Sequence, residues 1–545
     1  MKIKQPLWVK AFASAFIVAL VGALVACGGS NSSSGNTSPV YTAVIDAGSS
    51  GTRLSLYQVI PGNGAYPQAT LIKTIKFSDN GINDFILGTG YIKTSKWTTG
   101  SGLPAGYNAP GCNMNVSPVV GGTKVNGSGD STSVGACVLQ PLLDSISGNL
   151  TQLGLTPTQV KVELLATAGM RTVAFSNGGT KSDADIVTFY QTMKTYVSTT
   201  KGFAVGDFRT INGNSEEGVW TWVNMNDYYY NIFGGNPTVS AVVLAPVGDF
   251  EVGGSSMQIA FPTATATSDA GNVYPVKING KSFNVYSKTF LGLGGDDSRK
   301  FMRSAGYTTG GAFTYDGGIS CFASSANSTN TAEPSGISLF YNLSLFPSVS
   351  APVNNPTLNA STSTWLTEIL AGAFPMTWTT QVGAWNPTTC AARYTPITND
   401  VIALPRNADG TTGNGNIASY SNLRNIITTS TAPFVGLDTF YYVAQGLGLT
   451  NPSGFSAFSA STLATQLNTT CSAPILPTPG NSDDYQTQGV CANGSYMNDF
   501  LFRATTGLFT SNGTAAFTGV LDGDNSSGAT VLTWTRGYLM LKYAN

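Results

Sequence analysis

The chain has no histidine. That excludes Ser-His-Asp hydrolysis, phosphohistidine intermediates and zinc sites built on imidazole. Any metal would be a hard ion held by oxygens, magnesium or calcium, and a general base would most simply be a carboxylate. Charge is also scarce. Asp, Glu, Lys and Arg make up 10% of the 545 residues, against roughly 25% in ordinary domains. With 27 basic and 28 acidic residues there is no net field to draw nucleic acid. No Cys-x-x-Cys pair occurs, which argues against thiol redox and thiolate-zinc roles. Hydrophobic residues reach 42% and 63 positions are glycine. The length is enough for two or three domains with a large core and a wet, nearly neutral surface.

The N-terminus reads as an export signal. Lys2, Lys4 and Lys10 precede AFASAFIVALVGALVA, residues 11–26, which falls short of the ~20 residues of a spanning helix and ends in small residues. LVAC, 24–27, resembles a bacterial lipobox, in which Cys27 becomes the lipid-bearing first residue of the mature chain. GGSNSSSGNTSP behind it has the composition of a flexible tether. Six other cysteines remain: Cys112, Cys137, Cys321, Cys390, Cys471 and Cys491. An even number in an exported chain implies three disulfides with about fifteen pairings. Pairing in sequence order, each bridge closing a local loop, is the simplest expectation.

From Tyr41 onward strand and helix patterns alternate, which places the chain in the α/β class. TAVIDA and RLSLYQVI read as two strands joined by a tight turn. VKVELLATAGMR, 160–171, is a strand ending in small residues, and KSDADIVTFYQTMKTYV, 181–197, is a helix. AVVLAPVGDFEVGGSSMQIAF, 241–261, repeats the opening design of strand, acid, Gly/Ser knot and strand. IDAGSSGTRL and FEVGGSSMQI therefore mark two related halves. Residues 307–430 read as long decorated loops with short strands, and 531–543 as a closing helix.

In DAGSSGTR an acid ends a strand and four residues without bulk follow. Such an elbow aims backbone N–H groups and hydroxyls at one point, where a phosphate oxygen fits. A carboxylate beside phosphate is repelled unless a cation lies between them, so Asp46 belongs to a metal. A plain hairpin turn has the same composition; the second elbow, with Glu251, Gly253, Gly254, Ser255 and Ser256, argues for a clamp on a polyphosphate. Between the elbows lies GNSEEGVWTWVNMN, 213–226. Ser215 is the expected N-cap, with Glu216 and Glu217 in the first turn, where the helix dipole favours negative charge. A carboxylate there can deprotonate water for attack on a terminal phosphate, although the motif by itself reads first as routine capping.

Together these segments resemble the apyrase family, the nucleoside triphosphate diphosphohydrolases. DAGSSGTR is similar to its first motif, ATAGMR to the second, EEGVWTWVNMN to the third and EVGGSSMQI to the fourth. FVGLDTFYYVAQGL, 434–447, is similar to a degenerate fifth. SKTFLGLGGDDSRK and TWTRGYLML also fit, so the resemblance runs from about residue 41 to 543. It implies two actin-like (ribonuclease H-like) domains with the site in the cleft between them. The division is a signal peptide at 1–26, a tether at 27–40, one domain of 41–212 plus a returning 520–545, and a second of 213–519. It implies stepwise hydrolysis of nucleoside tri- and diphosphates with Mg2+ or Ca2+; with the lipobox, the expectation is a monomeric, lipid-anchored protein of the bacterial envelope. Glu217 would be the base, and Ser256 and Gln258 would hold the attacking water. Ser49, Ser50, Gly51, Thr52, Arg53, Thr167, Gly253, Gly254 and Ser255 would contact phosphates. Asp46 would hold the metal through water, with Glu251 standing where the family has Asp. Asp249, two residues earlier on the strand, is expected to compensate, and Glu251→Asp to retain or improve activity. Tyr442, with Trp385 behind it, is the expected nucleobase contact. A polyphosphate or guanosine-polyphosphate phosphatase and a non-catalytic nucleotide-binding lipoprotein remain alternatives.

Overall fold

The structure is a computed structural model. It describes residues 38–49, 51–76, 81–86, 116–118, 125–127, 131–173, 181–237, 239, 245–263, 269–291, 293–304, 307–309, 312–314, 319–323, 384–398, 420–427, 432–450, 455–473, 485–503, 507–509, 517–521 and 533–544. The expected export signal, Cys27, Ser50 and Cys112 lie outside these.

Five strands form the first sheet: β1 (Val40–Ala47), β2 (Thr52–Ile60), β3 (Gln68–Lys76), β4 (Val160–Ala166) and β5 (Ala204–Thr210). Their order is β3-β2-β1-β4-β5. β1 runs antiparallel to β2 and parallel to β4, and β5 is parallel to β4. β1 is covered on both faces, as a continuous apolar strand demands. Ala43, Ile45 and Ala47 enter one core and Val44 the opposite one. The first core is closed by the helix α2 (Asp183–Thr195), which inserts Phe189, Tyr190 and Met193. Ser182 caps this helix in a reciprocal box with Asp185. A five-residue helix, α1 (Ala168–Thr172), leaves the end of β4.

The second sheet repeats that plan. Its strands are β6 (Gly248–Val252), β7 (Ser256–Pro262), β8 (Val273–Ile278), β9 (Lys281–Leu291), β10 (Phe434–Asp438), β11 (Phe455–Ser456) and β12 (Phe517–Leu521). The order is β8-β9-β7-β6-β10-β12-β11. Within it β9-β7-β6-β10-β12 has the order and strand directions of the first sheet. The weak internal similarity in the sequence is therefore a repeated α/β topology, the actin-like arrangement. The return of the chain toward the first sheet begins beyond Leu521, since Val520 and Leu521 complete β12.

Between the two sheets lie α3 (Val219–Tyr230) and α8 (Trp534–Lys542). Their core joins Val44 and Tyr57 of the first sheet to Ala260, Val276 and Val285 of the second. Trp220 packs on Trp534 and Tyr538 at ring-centre separations of 5.7 and 4.7 Å. On the far side of the second sheet α5 (Thr439–Gly446), α6 (Ala460–Cys471) and α7 (Tyr485–Phe502) pack with α4 (Gly295–Ser304).

Two disulfides follow the sequential expectation, Cys321–Cys390 and Cys471–Cys491. Cys137 is also disulfide-bonded. The stretch 307–430 contains the expected short strands, Tyr307–Thr309 and Ala312–Thr314, but also two helices, Pro387–Thr398 and Tyr420–Ile427. The first is legible in retrospect: Asn386 accepts from the Thr389 N–H, and Pro387 holds the first helical position. Among the described residues no helix is long and apolar enough to cross a membrane.

Candidate active site

Each sheet contributes one elbow at the carboxyl end of its central strand. After β1 the chain turns through Gly48, Ser49 and Gly51 into Thr52, with Asp46 opposite Arg53 in register. After β6 it turns through Gly253, Gly254 and Ser255, with Glu251 opposite Gln258. The Gly253 N–H donates to the Ser256 carbonyl at 3.0 Å and tightens the second elbow. The Gly253 and Gly254 carbonyls turn back to accept from the Gly295 and Asp296 N–H groups at 2.8 and 3.0 Å.

Each elbow rests on a glycine of another segment. A Cβ at Gly169 would stand 2.9 Å from the Ser49 Cα, and one at Gly294 would stand 2.3 Å from the Gly254 carbonyl. Those contacts are tighter than a side chain tolerates. They account for ATAGMR beside the first elbow and GLGG beside the second.

Both elbows line one cleft of about 940 Å³, its open mouth included. Asp46, Ser49, Gly51, Arg53, Thr167, Glu217, Glu251, Gly253, Gly254, Ser255, Ser256 and Tyr442 all line it. Thr52 and Gln258 are buried and stand outside the lining. Trp385 is elsewhere: it packs on the second-sheet core and donates to Asn468. Asp249 also stays out of the lining, buried within the sheet, where burial pushes its carboxyl well above the ordinary range.

The cap at 213–226 differs from expectation. Asn212, not Ser215, caps this segment, its side chain accepting from the Asn214 and Ser215 N–H groups. The first turn, Gly213–Gly218, is a wide π-type turn running into α3. Glu216 faces outward and pairs with Arg209 at 2.6 Å, whereas Glu217 turns inward. There its Oε2 accepts from Arg171 Nη2 at 2.5 Å and from Gln258 Nε2 at 3.0 Å. Arg171 also donates to Ser256 Oγ at 3.2 Å and to the Ile211 carbonyl at 3.1 Å. Gln258 Nε2 lies 2.6 Å from Ser256 Oγ and 3.0 Å from Thr289 Oγ1.

Sequence reasoning assigned no role to Arg171, Lys76, Asp438, Thr533 or Trp534, the last four of which line the cleft. Asp438 had a usable signal. It ends β10, which lies beside β6 as β4 lies beside β1, so the repeat itself points to the residue there. Its φ of 54° is strained for a non-glycine residue, a condition that concentrates at functional sites.

The acids of this cleft repel one another. Burial pushes the Asp46 carboxyl up to about 7; the Glu217 and Asp438 charges add to this, and Arg53 and Lys76 oppose it. Burial and the Glu217 charge also push Glu251 well up, against a hydrogen bond from Thr221. Among the described residues Asp46 Oδ1 is buried with no hydrogen-bond partner. Oxygen donors with excess negative charge fit a hard divalent cation. Among the described residues no three acids converge on one point, so the fit is to an ion that keeps water or phosphate oxygens as its other ligands.

Residues 129–311 match the GDA1/CD39 (nucleoside phosphatase) family. The GDA1/CD39 span holds Thr167, Arg171, Glu217 and the whole second elbow; the first elbow precedes it. The chain is 25% identical over 276 residues to a guanosine-diphosphatase of Schizosaccharomyces pombe, covering 49% of this chain and 38% of that protein. It is 26% identical over 288 residues to ectonucleoside triphosphate diphosphohydrolase 2 of Gallus gallus, covering 52% and 48%. The matched segments thus span well under two thirds of these relatives. Among solved structures, a nucleoside triphosphate hydrolase of Neospora caninum is similar at 17% identity and a TM-score of 0.49, covering 98% of this chain and 96% of that one.

Proposed function

We propose that the protein is a nucleotidase that hydrolyses the terminal phosphate of nucleoside tri- and/or diphosphates. The observation that carries this reading is the convergence of both elbows, Thr167 and Glu217 on one cleft. The N–H groups and hydroxyls of Ser49, Gly51 and 253–255, with Arg53, hold the polyphosphate from opposite walls. Glu217 accepts a proton as water attacks the terminal phosphorus. The new P–O bond forms in line with the breaking bond to the bridging oxygen, which leaves with the shorter nucleotide. Ser256 holds the water at the cleft wall, while Gln258, buried behind it, steadies both Ser256 and Glu217. A magnesium or calcium ion, held through water by Asp46 and Glu251, would supply positive charge against the phosphate oxygens. Tyr442 offers the nucleobase a ring face.

The same reading includes the domain division at 212/213, export, and anchoring through Cys27. It rests on the N-terminal sequence and the relative named as an ectoenzyme. A non-catalytic binder has no use for a buried carboxylate held by an arginine and a glutamine at the cleft wall.

The test is phosphate release from ATP, ADP, GDP, UDP, AMP and polyphosphate, with magnesium, calcium or EDTA. Hydrolysis of di- or triphosphates is expected, with loss in EDTA and at least a ~10³-fold lower kcat for Glu217→Gln. Binding without turnover under every metal would establish the binding module. Polyphosphate as the preferred substrate would establish the polyphosphatase.

A further inference from the structure

Both hydrogen-bond partners of Glu217 meet the same oxygen. Arg171 and Gln258 converge on Oε2, and Oε1 has no partner among the described residues. The terminal torsion of a glutamate is broad and nearly two-fold. Left alone, a carboxylate at the cleft wall would sample orientations that present either oxygen, or neither, to an attacking water. A guanidinium donating across 2.5 Å is a charge-assisted bond, about twice as strong as a neutral one. Arg171 is itself fully buried and held at a second point by the Ile211 carbonyl. Its Nη2 also reaches Ser256 Oγ on the opposite sheet. One side chain, carried by α1 at the end of β4, therefore fixes a residue of the α3 entry turn and a residue of β7 relative to each other.

We propose that Arg171 is a positioning residue that clamps Oε2 of Glu217 and sets Ser256 beside it, so that Oε1 is the oxygen that takes the proton from water. This rests on the nucleotidase reading above. Arg171 is not among the residues lining the cleft, so its effect passes through Glu217 and Ser256. Lysine can place a charge near the carboxylate but lacks the fork that serves Glu217, Ser256 and Ile211 together.

The experiment compares kcat and KM for ATP and ADP in the parent protein, Arg171→Met, Arg171→Lys, Glu217→Gln and the Arg171→Met/Glu217→Gln double variant. Melting curves establish that each is folded. Arg171→Met is expected to lower kcat about 100-fold, with KM within about threefold, because small misplacements of reacting groups cost that much. Arg171→Lys should recover about tenfold of the loss. In the Glu217→Gln background Arg171→Met should change the residual rate by no more than about fivefold, since Glu217 is already gone and only the hold on Ser256 remains to be lost. A residue that only stabilised the fold would lower both backgrounds alike, and that outcome overturns the proposal. So does an Arg171→Met kcat within about threefold of the parent. Should Arg171→Met fail to fold, an Arg171→Lys kcat equal to the parent overturns it, and a kcat about tenfold lower with unchanged KM supports it. A parent protein inactive on every nucleotide overturns the nucleotidase reading and this one with it. An active parent with indifferent Arg171 variants overturns this one alone.

Discussion

Glu251 reaches Thr221 with Oε2, accepting its hydroxyl proton at 2.6 Å. The reach depends on the second methylene of glutamate. An aspartate at this place ends about an ångström short, and a hydrogen bond to a charged group contributes roughly 1.5–3 kcal/mol. The sequence-based expectation that Glu251→Asp retains or improves activity therefore meets a specific contact that the shorter side chain would lose. Asp249 offers no replacement from its position inside the sheet. Glu251→Asp is expected to lower kcat/KM about tenfold, as measured by phosphate release at saturating magnesium. A value at or above the parent's would show that the Thr221 contact is idle. The pair Glu216 and Glu217 makes a related point, because adjacent, identical side chains take opposite fates. Successive positions on a helical turn face different ways, so one meets Arg209 near the surface and the other buried Arg171.

Among the elements, the two elbows differ in what shapes them from behind. The first is backed by α1, through Gly169, and the second by the segment opening α4, through Gly294. At Gly294 the obstacle to a side chain is backbone, the Gly254 carbonyl at 2.3 Å, which cannot swing aside as a flexible side chain would. Gly294→Ala should push the Gly253–Ser255 elbow into the cleft. KM for nucleotide is expected to rise at least about tenfold, with a melting temperature within a few degrees of the parent. Unchanged KM would mean that this elbow does not bind phosphate.

At the scale of the whole molecule, α8 ties the chain's last residues to both halves of the fold. Arg536 donates to Asp227 at 2.7 Å, to Asn224 at 3.1 Å and to Tyr66 at 3.1 Å, all within α3 or next to β3. Lys542 and Tyr538 meet Glu163, fully buried on β4. Asp227 is fully buried too, so removing its cation leaves a charge in a low-dielectric interior. Arg536→Met is expected to cost about 3–5 kcal/mol of stability, read as a fall in denaturation midpoint. Arg536→Met/Asp227→Asn should recover part of that loss. A single variant as stable as the parent would show that α8 is held by its Trp534 and Tyr538 packing alone. Thr533 and Trp534, where this helix begins, line the cleft, so the anchoring of α8 also sets part of the cleft wall.

The sequence by itself determined the repeated design, because a continuous apolar strand, an acid and a bulk-free turn are local patterns, and local patterns survive in one dimension. The same holds for α2 with its Ser182–Asp185 box; sequential pairing of the cysteines was only the simplest of about fifteen arrangements, and the structure shows it for Cys321–Cys390 and Cys471–Cys491. Asn386–Pro387 carries an equally local helix start, set within a Gly- and Ser-rich stretch. Only the tertiary structure decided that Arg171 meets Glu217 and Ser256, that Asn212 caps the turn, that Trp385 lies away from the cleft, and that Gln258 and Asp249 stand behind it. Those outcomes depend on which face of one element meets another across dozens of residues or more. Close packing settles that choice, and it leaves no periodic trace along the chain.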